Sequence, residues 1–240
     1  MNRNHGGAHI VTWHTPPGAQ VSIASYGDDG SVAEAELRAL LSTSERAQAA
    51  ALSDATEIRH FLARRGFQRL FLSQITNFAA APGDLALIHR RDSAPSCPDA
   101  PDLFFSFSSS STTAVACAST SGPVGIDIER SRKIENVSAL AQRHFTPHEA
   151  QALALLPASR QCPAFLHYWT AKEAGLKAIG QGIVFGLNTF TLTQKDHGSF
   201  SIQGPPEQGG AWSLSYPDIL PGHVIALVQK ISAEKADLHL

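Results

Sequence analysis

The chain has 240 residues, of which 43% are hydrophobic and 17% charged, and a net charge of −2. That length suffices for one large or two smaller globular domains with a buried core, and the charge balance gives no basic field of the kind that non-specific nucleic-acid binding needs. Three scattered cysteines (Cys97, Cys117, Cys162) without C-x-x-C spacing argue against a disulfide framework and against a zinc site.

No apolar run approaches membrane-spanning length. The polar opening, interrupted by His9, His14 and Pro16-Pro17, does not read as a signal peptide. A soluble cytoplasmic protein is the expectation.

In chain order, Ala8–Trp13 and Val21–Ala24 read as short strands flanking a Pro16-Pro17-Gly18 turn. Val32–Leu41 predicts a helix, and Ser44 is expected to cap a second with Glu45 in its first turn. A third helix runs from about Ala55 to Ile75, its stripe formed by Phe61, Leu62, Phe67, Leu70 and Phe71. Residues 82–102, rich in Pro, Asp and Ser, read as an irregular connection with a strand at Leu85–His89.

Phe104–Phe107 reads as extended and leads into the serine run Ser108–Ser111. Thr113–Ser119 and Val124–Glu129 predict two strands joined as a hairpin through Thr120-Ser121-Gly122-Pro123. The helical pattern returns after Ile134. Thr146, Pro147 and Glu149 form a strong helix start, with Thr as N-cap, Pro at N1 and Glu at N3. A longer helix is expected from about Cys162 to Ile179, ending at Gly180. Strand patterns follow at Asn188–Thr193, Ser199–Ile202, Trp212–Tyr216 and His223–Gln229. Each half thus runs from strands through helices to strands, which predicts an α+β fold of two similar lobes, 1–120 and 121–240.

Two short segments carry the chemistry. On a strand, Asp127 and Glu129 share one face while Ile126 and Ile128 take the other, core-facing one. Two adjacent carboxylates are ordinary on a solvated strand face, yet they also suit magnesium, which binds through a few carboxylates and substrate phosphates. On the long helix, Glu173 and Lys177 stand at i and i+4 and share a face. Alone they would be a surface ion pair worth about 0.3–0.5 kcal/mol. Together the segments offer three acids and an amine to one phosphate-bearing ligand.

Other patterns lead elsewhere. His144 and His148 are separated by the helix start at Thr146-Pro147. The serine run lacks a G-x-S-x-G elbow. Gly180-Gln181-Gly182 follows a helix and so is no dinucleotide fingerprint. The arginines between 59 and 69 read either as a solvated helix face or as partners for phosphates.

Gly125-Ile126-Asp127-Ile128-Glu129, followed by F-x-x-x-W-T-x-K-E-A-x-x-K ending at Lys177, resembles the 4′-phosphopantetheinyl transferases, in their larger, monomeric two-lobe form. Ser44–Ala47, Phe145-Thr146-Pro147-x-Glu149 and Asn188-Thr189-Phe190 extend the similarity over most of the chain.

The resemblance implies a pseudo-two-fold pair of lobes. It also implies transfer of the 4′-phosphopantetheine arm of coenzyme A to a serine of an apo acyl- or peptidyl-carrier protein, with release of adenosine 3′,5′-bisphosphate. Asp127, Glu129 and Glu173 would then hold magnesium. Glu173 would also be the candidate base, and Lys177 would contact the pyrophosphate. Lys172, Ser109, Arg59 and Arg64 (or Arg65) would lie on the coenzyme A side. No nucleic acid or membrane partner is expected.

This chain departs from the family pattern at two places. Ser109 stands where the family has the histidine of F-x-x-S-H-S, and Ser93-Ala94-Pro95 replaces G-K-P, so an imidazole and an ammonium are absent. Charge-assisted bonds are roughly twice as strong as neutral ones. Weaker coenzyme A binding is therefore expected, or compensation by an arginine such as Arg90 or Arg91. The alternative reading is a non-catalytic paralogue that binds a carrier protein or a coenzyme A thioester. A magnesium-dependent phosphohydrolase is a third.

Overall fold

The structure, a computed structural model, describes residues 11–14, 21–27, 29–90, 93–181, 186–195 and 199–231. The expected Pro16-Pro17-Gly18 turn, Gly182 and Arg91 lie outside them, as do the first residues of the expected strand at Ala8–Trp13.

One antiparallel sheet is built from β1 (Thr12–Trp13), β2 (Val21–Gly27), β5 (Phe104–Ser110) and β6 (Thr113–Ser119), in the order β1-β2-β6-β5. Three helices belong to this half: α1 (Glu34–Ala39), α2 (Thr43–Ala50) and the 21-residue α3 (Ala55–Ile75). The apolar stripe of α3 lands as its spacing predicts. Leu62, Phe67 and Phe71 are fully buried with Ala24, Tyr26, Ala114 and Ala116 of the sheet, and each large side chain contributes about 1.5–3 kcal/mol.

The cap of α2 sits two residues earlier than the sequence suggests. Ser42, not Ser44, caps it, and Ser42 and Glu45 close a capping box. Glu45 reaches back in this way because it is drawn inward by the buried Arg69 guanidinium.

Residues 82–102 are more ordered than an irregular connection. They contain a short hairpin, β3 (Ile88–Arg90) and β4 (Ser93–Ser96), with an irregular register between the pairs Ile88↔Ser96 and Arg90↔Ser93.

A second antiparallel sheet has the order β10-β11-β7, from β7 (Val124–Arg130), β10 (Ala211–Ser215) and β11 (His223–Ile231). It carries α4 (Val137–His144), α5 (Pro147–Ala154) and α6 (Ala158–Ala178), while β8 (Thr191–Gln194) and β9 (Phe200–Gln203) pair beside it. Thr146 caps α5 with Pro147 at its start and Glu149 closing the box, as expected. α6 begins four residues before the expected start and carries Pro163 within its early turns.

The expected hairpin between β6 and β7 does not form. β6 pairs with β2 and β5, and β7 pairs with β11. The free edge of β7 lies beside β5 and is met by side chains. Ser106 Oγ accepts from Ile126 N at 3.3 Å and Ser110 Oγ from Arg130 N at 3.2 Å. Alternate serines of β5 thus replace a backbone ladder, and this joins the two sheets edge to edge. Ile126 and Ile128 face an apolar cluster with Ile23, Val115, Cys117 and Ile225.

Candidate functional site

The opposite face of β7 is covered by α6. A Cβ on Gly125 would stand 2.0 Å from Ala174 O and 2.6 Å from Ala178 N. Only a glycine lets the helix backbone lie this close to the strand. Because side chains two apart share a face, Asp127 and Glu129 point towards the same helix. Asp127 is therefore buried (5% exposed) and not solvent-facing, contrary to the simple alternating-strand expectation.

The close approach lets Lys177 reach Asp127. Lys177 Nζ donates to Asp127 Oδ1 at 2.6 Å and to Ser108 Oγ at 2.8 Å, and Ser108 Oγ donates to Asp127 Oδ1 at 2.7 Å. Asp127 Oδ2 is buried and has no hydrogen-bond partner. Glu129 is paired with Arg132 at 2.6 Å. Lys177 therefore pairs across to the strand, not along the helix with Glu173 as its i, i+4 spacing suggests. Burial first, then the charges of Asp127 and Glu129, push the Glu173 carboxyl up to about 7, against the opposing pull of Lys177. Glu173 is thus poised between proton donor and acceptor near neutral pH.

With Lys177 on Asp127 and Arg132 on Glu129, no three metal-binding side chains among the described residues close around a point. The chemistry of the set still suits a hard cation. The donors are carboxylate oxygens, Asp127 Oδ2 is an orphaned acceptor, and the charges on Asp127 and Glu129 raise the Glu173 pKa.

Lys177 also lines a cleft of about 240 Å³ between α3, the β3–β4 hairpin, β5 and the end of α6. Its other walls include Gln68, His89, Ala94, Pro95, Phe105, Phe107 and Gln181. The remaining site residues expected from the sequence lie elsewhere. Arg59 donates through both terminal nitrogens to Val32 O at 3.1 Å. Arg64 and Ser109 are exposed and do not line the cleft.

Lys172 is a correction. It is 0% exposed, ion-paired with Glu149 at 2.8 Å, and donates to Leu187 O at 3.0 Å and Phe190 O at 2.5 Å. All three ammonium donors are used, so no ligand can take them. Glu149 also accepts from Leu192 N at 2.7 Å and closes the α5 capping box. The pair pins α5, α6 and β8 together. Glu149 at N3 was visible in the sequence, but its distant partner was not.

Sequence reasoning missed Ser108 as a bridge between Lys177 and Asp127. Its only sequence signal is the i, i+2 spacing of Ser106, Ser108 and Ser110, which places all three on one face of a strand.

A family model described as the 4′-phosphopantetheinyl transferase superfamily matches residues 123–228. The chain is 33% identical over 182 residues to the 4′-phosphopantetheinyl transferase HetI of Nostoc sp., covering 75% of this chain and 74% of that one. It is 32% identical over 133 residues to the 4′-phosphopantetheinyl transferase Sfp of Bacillus subtilis, covering 55% of this chain and 58% of Sfp. The matched stretch thus spans little more than half the length of Sfp and about three quarters of HetI. The crystal structure of holo-[acyl-carrier-protein] synthase (AcpS) from Neisseria meningitidis aligns with a TM-score of 0.39 and 26% identity, over 46% of this chain and 98% of that one.

Proposed function

This chain belongs to the 4′-phosphopantetheinyl transferase superfamily, and we propose that it transfers the phosphopantetheine arm of coenzyme A to a serine of an apo acyl- or peptidyl-carrier protein. The observation that carries the proposal is the meeting of the two motif segments, with Lys177 Nζ 2.6 Å from Asp127 Oδ1 and Lys177 itself lining the cleft.

In the reaction, the carrier serine oxygen bonds to the phosphorus that bears the pantetheine. The bond from that phosphorus to the bridging pyrophosphate oxygen breaks, and adenosine 3′,5′-bisphosphate leaves with the electron pair. The serine proton goes to Glu173, whose raised pKa makes it a competent acceptor in its ionised form. Lys177 turns from Asp127 towards the pyrophosphate and balances the charge that builds on the leaving oxygen. A magnesium ion held by Asp127, Glu129 and Glu173 would add further positive charge at the pyrophosphate. The closed wall of α6 against β7 holds these groups in fixed relative positions, which is the larger part of what phosphoryl transfer asks of a protein.

The two halves, 1–120 and 121–240, act in this reading as lobes that close on the ligand from both sides. We further read the protein as a cytoplasmic monomer, as the resemblance to the larger, two-lobe members of the family implies; among the described residues no helix is long and apolar enough to cross a membrane. Sedimentation with and without coenzyme A tests the monomer.

The activity test is incubation with coenzyme A, magnesium and a panel of apo carriers from fatty-acid, polyketide and peptide synthesis, read by intact mass. The expected result is a gain equal to the phosphopantetheine arm on at least one carrier. Binding of coenzyme A with no mass gain on any carrier would favour a non-catalytic paralogue instead. Asp127→Ala and Glu173→Gln should each abolish transfer with the fold retained, and unimpaired transfer in either would refute the site.

A further inference from the structure

A second cavity lies away from Lys177, and the reaction above makes no use of it. It measures about 530 Å³, within the size range of small-molecule sites. Its apolar walls are Leu156, just before α6, Pro163 and Ala164 in the first half of α6, and Phe200, Leu214 and Tyr216 at the ends of β9 and β10.

Arg160, Pro163, Ala164 and His167 all line this cavity. They stand at i, i+3, i+4 and i+7, so they form one stripe of the helix. Further on, the same stripe reaches Ala171 and Ala174, both fully buried. Beside them Gly175 lets the Phe190 ring come down on the helix, where a Cβ would meet it at 2.7 Å. The stripe is thus covered in the later turns of α6, and in the early turns it faces the cavity.

The aromatic wall is fixed from behind. Tyr216 donates through its hydroxyl to His167 O at 2.9 Å, and its ring meets the His167 ring edge to face at 4.8 Å. Phe200 meets Tyr216 at 6.1 Å and Tyr168 at 5.2 Å, both edge to face. His167 Nδ1 lies 2.9 Å from Pro163 O. A carbonyl only accepts, so Nδ1 is the donor. Each of these rings is held by protein neighbours. A flat apolar group entering the cavity therefore has little left to order, and binding costs less where the wall is already set.

The charge in the cavity has one sign. Arg160 brings a fixed positive charge, and no carboxylate is among the described lining residues. Among the described residues its guanidinium has no ion-pair partner. One planar guanidinium matches a carboxylate in a two-pronged bond.

We propose that this cavity is a second binding site, which takes a small aromatic carboxylate with its ring on Phe200 and Tyr216 and its anion on Arg160. The site does not rest on the transferase reading. Lys177 follows His167 by ten residues, about 15 Å along α6, so the occupant does not touch the reacting groups.

The probes are 1-naphthylacetate and its uncharged amide, 1-naphthylacetamide, titrated into the full chain by calorimetry, with thermal melting as a check of folding. The wild type should bind the acid about tenfold more tightly than the amide, as one hydrogen-bonded charge allows. Arg160→Gln should bring the acid down to the level of the amide and leave the amide unchanged. Ala164→Leu, which fills the cavity from its helix side, should abolish binding of both. Saturating coenzyme A should change neither affinity.

Displacement of the acid by coenzyme A would put the probe in the Lys177 cleft and overturn the second site. Equal affinity for acid and amide, an unchanged preference in Arg160→Gln, or retained binding in a folded Ala164→Leu would overturn it too. So would a wild type that binds neither probe at millimolar concentration. If Ala164→Leu does not fold, Arg160→Gln decides alone.

Discussion

Lys172 and Lys177 stand five residues apart on α6, about 140° around its axis, and they meet opposite fates. Lys172 points into the core between α5 and β8, where Glu149 and two backbone carbonyls consume every donor it has. Burial pulls its pKa below the ordinary lysine value, with Glu149 opposing. Lys177 points to β7 and the cleft, 28% exposed, and bonds Asp127 and Ser108. Asp127 in turn keeps one oxygen unpaired. A closed network specifies a fold, whereas an incompletely satisfied one leaves room for a ligand.

The sharpest way to break this comparison is to remove each lysine in turn. Lys172→Ala strands the Glu149 carboxylate in the core and should cost about 3–5 kcal/mol of stability. Urea unfolding measures it, and a loss under about 1 kcal/mol would mean the pair is not the closed network described here. Lys177→Ala should leave a protein more stable than Lys172→Ala and slow carrier labelling by about 10²–10³-fold, as loss of one charge-stabilising donor does. If both variants were equally unstable, the contrast between the two lysines would disappear.

Next comes the contact that makes the site possible. Gly125→Ala places a methyl against the α6 backbone, which should cost about 1–3 kcal/mol by overpacking and separate Lys177 from Asp127. Slower labelling without a fall in melting temperature would refute the packing account.

A further effect is on pH. Glu173 has its folded pKa raised from 4.5 to about 7. Its contribution to stability is fully present below about 4.5, because both folded and unfolded states then hold the proton. It is lost as pH rises towards 7, because the unfolded chain ionises first. With chelator present, unfolding free energy should therefore fall across that window, and Glu173→Gln should flatten the slope. An unchanged slope in the variant would place the effect on another group.

Much of the fold was legible because it is local. The 21-residue span of α3 followed from its apolar stripe, and the start of α5 from Thr146, Pro147 and Glu149, since capping and periodicity need only neighbours in sequence. The larger mistakes were non-local. Thr120-Ser121-Gly122-Pro123 looked like a hairpin turn, but β7 had a better backbone partner in β11 and took the serines of β5 on its other edge. Lys172 shared a motif with Lys177, and nothing in that motif showed that the first would be buried and the second left at the cleft.

The sequence by itself determined which groups were available: the acids at 127, 129 and 173, the lysine at 177, and the family to which the chain belongs. Tertiary structure alone decided which charges meet. Gly125 brings α6 down onto β7, so Lys177 finds Asp127 and not Glu173. Spacing along a chain sets which side chains share a face. Which face meets which is decided only when the two sheets pack.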